Sequence, residues 1–272
     1  MLGLYRGARQ YHLHLDWRTL DQWLYDPAFV CVLQERNAGL GGAMGASLCD
    51  SPYLDQPPAA WLRFFAADHR AGREMLRLLW DELHAGLVAR GVGRAACAVV
   101  DDWVVPHLRE WGFAPFNAVI NMQRNEGIIP APPAPPLKIV EVTPAMLEEV
   151  VRVDALAFQD QLWAYSRETL EVAWKQAGTF TALWLDDQIV GYQLSTAHFG
   201  NAHLARLAVL PEYQGRGYGG LLIGEMLRWF ERRKVRQITV NTQGDNYSSQ
   251  RLYARLGFVP LGEDVPIWVI EL

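Results

Sequence analysis

Two adjoining pieces of the chain decide its fold: AHLARLAVLPEYQGRGYGGLLIGEMLRWF, residues 202–230, and ITVNTQGDNYSSQRLYARLGF, residues 238–258. Leu204 to Val209 reads as a β-strand. A short turn follows, then a glycine loop, Gln214-Gly215-Arg216-Gly217-Tyr218-Gly219, which runs directly into a helix. Leu221, Leu222, Met226, Trp229 and Phe230 fall on one helical stripe, with Glu231, Arg232 and Arg233 outside it, so that stripe is predicted to be core. A helix start leaves backbone N–H groups unpaired and attracts phosphate. Glycines remove Cβ and let backbone come close to an anion. A second helix carries Asn246, Ser249 and Leu252-Tyr253 and stops at Gly257-Phe258.

Working outward, Ile128-Ile129-Pro130-Ala131-Pro132-Pro133-Ala134-Pro135-Pro136 is the clearest boundary. Proline fixes φ and removes donors, so this run reads as an extended spacer. We expect three parts: residues 1–126, a proline-rich linker at 127–137, and residues 138–272. The two sides look like distant copies of one unit. Phe180 to Leu185, a turn at Asp186-Asp187 and Ile189 to Ser195 correspond to Phe29 to Leu33, a turn at Asn37-Ala38-Gly39 and Gly41 to Leu48. Trp61 to Ala66 corresponds to Leu204 to Val209, and Glu74 to Ala89 to the helix from Tyr218. Ala95 to Val100 corresponds to Gln237 to Thr242, and Gly112-Phe113 to Gly257-Phe258. Each copy is expected to close with its own last strand, Ala118 to Met122 and Ile267 to Leu272. Thr143-Pro144 and Ser166 read as helix starts.

Chain length and composition are compatible with this division. The 272 residues are half hydrophobic, enough for two cores, and the net charge of −5 implies no general affinity for nucleic acid. Cys31, Cys49 and Cys97 are odd in number and form no metal pattern, so a reducing, cytoplasmic setting is expected and no metal is. No apolar run reaches membrane-spanning length, and no signal-peptide core is visible at the N-terminus.

The glycine loop after a strand, with Asn246, Ser249, Leu252-Tyr253 and Gly257-Phe258 beyond it, resembles the GNAT superfamily of N-acyltransferases, whose pattern is Q/R-x-x-G-x-G/A and then N-x-x-A-x-x-L-Y-x-x-x-G-F. The one exchange is Ser249 for alanine. The resemblance implies two α/β domains, each a mixed, mostly antiparallel sheet flanked by helices. In architecture alone the tandem arrangement is similar to that of the mycothiol synthases. It implies acetyl-CoA as cosubstrate. The pyrophosphate would lie on the N–H groups of Gln214, Gly215, Arg216, Gly217, Tyr218 and Gly219. The pantetheine arm would lie along Leu207, Ala208 and Val209 as an added strand does, with the Val209 N–H as a candidate oxyanion donor.

Tyr253 is the family's usual general acid, or a tyrosine packed on a helix face. Asn246 caps its helix, contacts the coenzyme, or does both. Ser249 would sit beside the coenzyme. His203, six residues before Val209, stands where some relatives place a base; His198 is a second candidate. Asp160, within Ala157 to Tyr165, would suit a cationic acceptor. The first copy lacks this chemistry. It has His69-Arg70-Ala71-Gly72-Arg73-Glu74 in place of the loop and Leu108 in place of Tyr253. We therefore expect a degenerate first domain and a catalytic second one. The acceptor would be a small-molecule or peptide amine, with no nucleic acid or membrane partner. The alternative is a coenzyme A-binding module without turnover, acting as a sensor or partner contact.

Overall fold

A computed structural model describes residues 11–14, 16–36, 39–67, 72–124, 127–235 and 237–272. The chain divides into two units. Met1–Asn117 with Val265–Leu272 form the first, and Ala118–Asp264 form the second. This differs from the division expected at residues 126 and 138.

The first unit contains β1 (Tyr11–Leu13), α1 (Leu20–Leu24), β2 (Phe29–Arg36), β3 (Gly39–Cys49), β4 (Ala59–Ala67), α2 (Gly72–Val88), β5 (Arg94–Ala98) and α3 (Val105–Glu110). Its strands run in the order β2-β3-β4-β5, and the chain's last strand, Val265–Glu271, pairs antiparallel with β5 from Ile267↔Ala98 to Glu271↔Arg94. Leu76, Leu79, Leu83 and Leu87 recur at helical spacing on α2 and join one core with Met44, Leu62, Phe65, Cys97 and Leu108. The turn expected at Asn37-Ala38 and the loop residues His69-Arg70-Ala71 lie outside the described residues.

The second unit begins within β6 (Ala114–Arg124) and continues with β7 (Lys138–Glu141), α4 (Leu147–Phe158), α5 (Arg167–Gln176), β8 (Thr179–Leu185), β9 (Gln188–His198) and β10 (Asn201–Val209). It ends with α6 (Tyr218–Arg232), β11 (Gln237–Gln243), α7 (Tyr247–Arg255) and β12 (Phe258–Pro260), ahead of β13 (Val265–Glu271) in the first unit. The sheet order is β6-β11-β10-β9-β8-β7. Among the described residues of this unit, β10 and β11 pair parallel and the other neighbours in that order pair antiparallel. Ser166 caps α5 by accepting the Thr169 N–H at 3.2 Å, as the sequence suggests.

Two expectations are corrected here. Ala118 to Met122 does not close the first sheet; these residues pair with β11 of the second. The terminal strand does not close the second sheet; it pairs with β5 of the first. The last strands are thus exchanged between the two copies. The proline-rich segment also lies inside the second unit. It packs on α6, where the Arg228 guanidinium donates to the Pro130 carbonyl. A Cβ added at Gly224 would come within 3.0 Å of that same oxygen.

In both sheets one parallel pairing ends early. The β4–β5 pairs run from Ala59↔Arg94 to Trp61↔Ala96, and the β10–β11 pairs from Asn201↔Gln237 to Leu204↔Val240. Each first strand continues past that point through a bulge. The extra residue is Arg63 in β4 and Ala205 in β10.

Burial in the first unit has a pH consequence. Burial lowers the imidazoles of His12 and His14 from 6.5 to about 4 and about 3. Each folded ring is neutral where its unfolded counterpart takes a proton, so stability is present above pH 6.5 and lost as pH falls toward 4. The slope is at most about 1.4 kcal/mol per pH unit for each ring. Urea titrations at pH 7 and pH 5 are expected to show that loss, with a flatter dependence in His14→Phe.

Candidate functional site

The site is built on the end of β10. Leu210 N–H donates to the Val190 carbonyl at 2.9 Å. Backbone groups alternate along a strand, so the N–H and C=O of Val209 and of Leu207 face away from β9. They face the gap left where β10 and β11 stop pairing. Ala208 is buried and turns its backbone toward β9. The Val209 carbonyl accepts from Gln214 Nε2 at 3.0 Å, which folds the glycine loop back onto the strand end.

That loop ends in an open helix start. Gly215 and Gly217 have φ of +74° and +83°, where side chains are strained, and no atom lies within 4 Å of a Cβ added at either. Gly217 is the N-cap of α6 and supplies no capping side chain; the first bond back to it is Leu221 N–H to its carbonyl, at 3.2 Å. The N–H groups of Tyr218, Gly219 and Gly220 therefore have no intrahelical acceptor. Gly219 has a packing role, because a Cβ there would sit 3.0 Å from Leu252 Cδ2 of α7. Arg216 is exposed, with Nη2 on the Glu212 carbonyl at 3.0 Å and its guanidinium near Tyr213, which stacks on Tyr218. These features suit a diphosphate and an extended amide-bearing arm.

Asn246 caps α7 by accepting the Ser249 N–H at 3.0 Å. Ser249 precedes Tyr253 by one turn of the same helix. Tyr253 is buried in the cluster under α6 with Leu204 and Phe258. Burial raises its hydroxyl above the usual tyrosine value, and the nearby Ser249 hydroxyl and the Arg206 charge offset part of the rise. The phenol therefore keeps its proton at neutral pH.

His203 alternates with Ala202 and Leu204, both of which pack in the α6 cluster, so its ring points to the opposite sheet face. Its Nδ1 is 2.9 Å from Thr239 Oγ1, and burial lowers its pKa, so the ring is neutral near pH 7. His198 is exposed at the end of β9. The Asp160 carboxylate accepts the Leu162 N–H at 2.9 Å through one oxygen and so helps shape its own turn.

Sequence reasoning missed a buried polar cluster on the His203 face. Asp154 of α4 is 0% exposed and binds Arg206 in a fork, Nε to Oδ1 and Nη2 to Oδ2, both at 2.8 Å. Tyr192 donates to the same carboxylate, and the Tyr165 N–H reaches it at 2.7 Å. The guanidinium lies between the rings of Phe158 and Tyr165, at 3.6 and 3.9 Å, and also donates to the Trp163 carbonyl. Burial alone would lower the Arg206 pKa, but Asp154 reverses this and raises it. One signal was available: Asp154 interrupts the apolar stripe Leu147, Val150, Val151, Ala155, and Arg206 interrupts an apolar strand.

Among the described residues, no group of three or more His, Cys, Asp or Glu could hold a metal, and no helix is long and apolar enough to cross a membrane. Residues 147–258 match the model of the Acetyltransferase (GNAT) family. The chain is similar to a [ribosomal protein bS18]-alanine N-acetyltransferase from Haemophilus influenzae, 32% identical over 27% of this chain and 49% of that one. It is also similar to a mycothiol acetyltransferase from Tsukamurella paurometabola, 26% identical over 74% of this chain and 75% of that one. Thus it spans about half the length of the first relative. A tandem GNAT protein from the clavulanic acid biosynthesis pathway shares the fold, with a TM-score of 0.62 at 19% identity over 90% of this chain and 84% of that one.

Removing one partner of the buried pair strands a charge. Asp154→Ala is expected to cost about 3–5 kcal/mol in urea unfolding, whereas the apolar double variant Asp154→Leu with Arg206→Met recovers most of it. Equal losses in the two variants would show that the pair itself is net stabilising.

Proposed function

We propose, from the match of residues 147–258 to the model of the Acetyltransferase (GNAT) family, that this chain is an acetyl-CoA-dependent N-acetyltransferase acting on a primary amine of a small molecule or peptide. The observation that carries the reading is the pairing of an uncapped, glycine-rich helix start with a strand edge whose Leu207 and Val209 N–H groups face the gap beside β11.

In this reading the N–H groups from Gly215 to Gly219 bind the pyrophosphate, with Arg216 as charge partner; the Gln214 N–H, expected to join them, is already bonded to the Pro211 carbonyl at 3.2 Å. Backbone along Leu207 and Val209 aligns the pantetheine arm as an added strand. The amine nitrogen attacks the thioester carbonyl, and the Val209 N–H donates to the oxyanion that forms. The Thr239 hydroxyl donates to the Ala202 carbonyl at 3.4 Å, so it accepts from Nδ1–H of His203 and leaves Nε2 to take the amine's proton, directly or through water. As the carbon–sulfur bond breaks, Tyr253 gives its proton to the departing thiolate, and the phenolate is reprotonated afterwards. The Asn246 cap on the Ser249 N–H holds the start of α7, and with it Tyr253, in place.

Calorimetry with coenzyme A is expected to give one site per chain. Gly217→Val should abolish it, because valine is strained at a φ of +83° and the loop would refold. Wild-type affinity in that variant would remove the loop from the binding site.

Turnover is read as coenzyme A thiol release over a panel of primary amines. Release separates an enzyme from a module that only binds the coenzyme. Tyr253→Phe should keep coenzyme affinity and slow release by about 10²–10⁴-fold; an undiminished rate would take Tyr253 out of the mechanism. His203 has a lowered pKa, so the rising limb of the pH–rate profile is expected below 6.5 and should move or vanish in His203→Gln. An identical profile in that variant leaves water or another group as the base.

A further inference from the structure

We infer that β1 is an intramolecular stand-in for a coenzyme arm: it fills the gap in the first unit's sheet and keeps that unit from taking coenzyme A. The inference rests on the reading above, in which the corresponding gap of the second unit receives the donor.

The registers place β1 in that gap. β3 pairs with β4 along one edge throughout, from Cys49↔Ala59 to Gly42↔Ala67. On the other edge β5 pairs only as far as Trp61↔Ala96. β1 pairs antiparallel with the same strand through Tyr11↔Ala66, His12↔Phe65 and Leu13↔Phe64. The β3 edge is already taken at these positions, so β1 lies on the edge that β5 has left. This is the edge past the bulge at Arg63, as Leu207 and Val209 lie past the bulge at Ala205. The His14 N–H continues the ladder to the Arg63 carbonyl at 2.7 Å.

Side chains close the gap from lip to lip. His12 is 1% exposed and stacks on Phe65 of β4 at 4.8 Å. Its Nε2 lies 3.7 Å from Cys97 Sγ on β5, the far lip. One sheet position admits one strand. A pantetheine arm would need the backbone groups that β1 already uses. The helix that follows adds to the exclusion, since Glu74 stands in its first turn, where a phosphate would be repelled.

Three measurements test this. In the wild-type chain the Phe65 amide, opposite His12, should exchange slowly with deuterium. Cys97 should resist N-ethylmaleimide while the less buried Cys31 and Cys49 react. In His14→Pro, which deletes the N–H bonded to Arg63, and in the milder His12→Ala, Cys97 should label at least about tenfold faster, because pairing and packing of the plug are lost. Coenzyme A affinity of the second unit should be unchanged in both, which separates opening of the gap from collapse of the chain. Fast exchange at Phe65, or Cys97 protection unaltered in both variants, would overturn the plug. So would two coenzyme A sites in the wild type, or a site surviving in Gly217→Val with the first unit protected from exchange by coenzyme A. A wild type with no coenzyme A site would instead remove the proposed function, while the Cys97 and Phe65 readings would still report on β1.

Discussion

The second unit depends on the point where β10 and β11 stop pairing. Parallel strands held side by side satisfy each other's backbone groups and leave no room for a ligand. Past Leu204↔Val240 that satisfaction ends, and β10 runs on through the bulge at Ala205 to Val209. The bulge has two effects. It releases the backbone of Leu207 and Val209 from β11, and it resets side-chain alternation, so that His203 and Arg206 share a face although three residues apart. The glycine loop then begins where the free edge ends, tied to it by Gln214.

A buried ion pair holds the other face. Arg206 follows the bulge directly, and its guanidinium reaches α4 at Asp154 and the backbone at Trp163, with Phe158 and Tyr165 on its two sides. The segment between α4 and α5 is thereby fixed to the strand that carries the free backbone edge. Burying such a pair costs desolvation and contributes little net stability unless every lone pair is used. Here the Asp154 carboxylate accepts from Arg206, Tyr192 and the Tyr165 N–H. The gain is a defined geometry for the loop beside the strand end.

The two units carry the same break in a parallel pair and fill it differently. In the first, a strand from the chain itself pairs with the freed edge, and His12 packs between β4 and β5. In the second, the edge is followed by an open helix start. A sheet edge satisfied from within becomes core; one left unsatisfied can take a ligand.

Much of this was legible in the residues. Helical spacing marked α6 as a core helix, Ser166 and Asn246 marked helix starts, and Gly215 and Gly217 stand where the backbone takes positive φ. These are local properties, set by period, capping and steric freedom within a few residues. Strand partnership is not local. Ala118 to Met122 and Ile267 to Leu272 read as closing strands of their own copies because nothing in a strand's composition names the sheet it joins, and the fold exchanged them. For the same reason β1 could not be seen beside β4, nor Asp154 beside Arg206, 52 residues apart in the chain. The sequence by itself determined the elements, their caps and the loop chemistry. Tertiary structure alone decided which edges are paired and which charges are buried together, because those energies arise only when distant segments exclude water from each other.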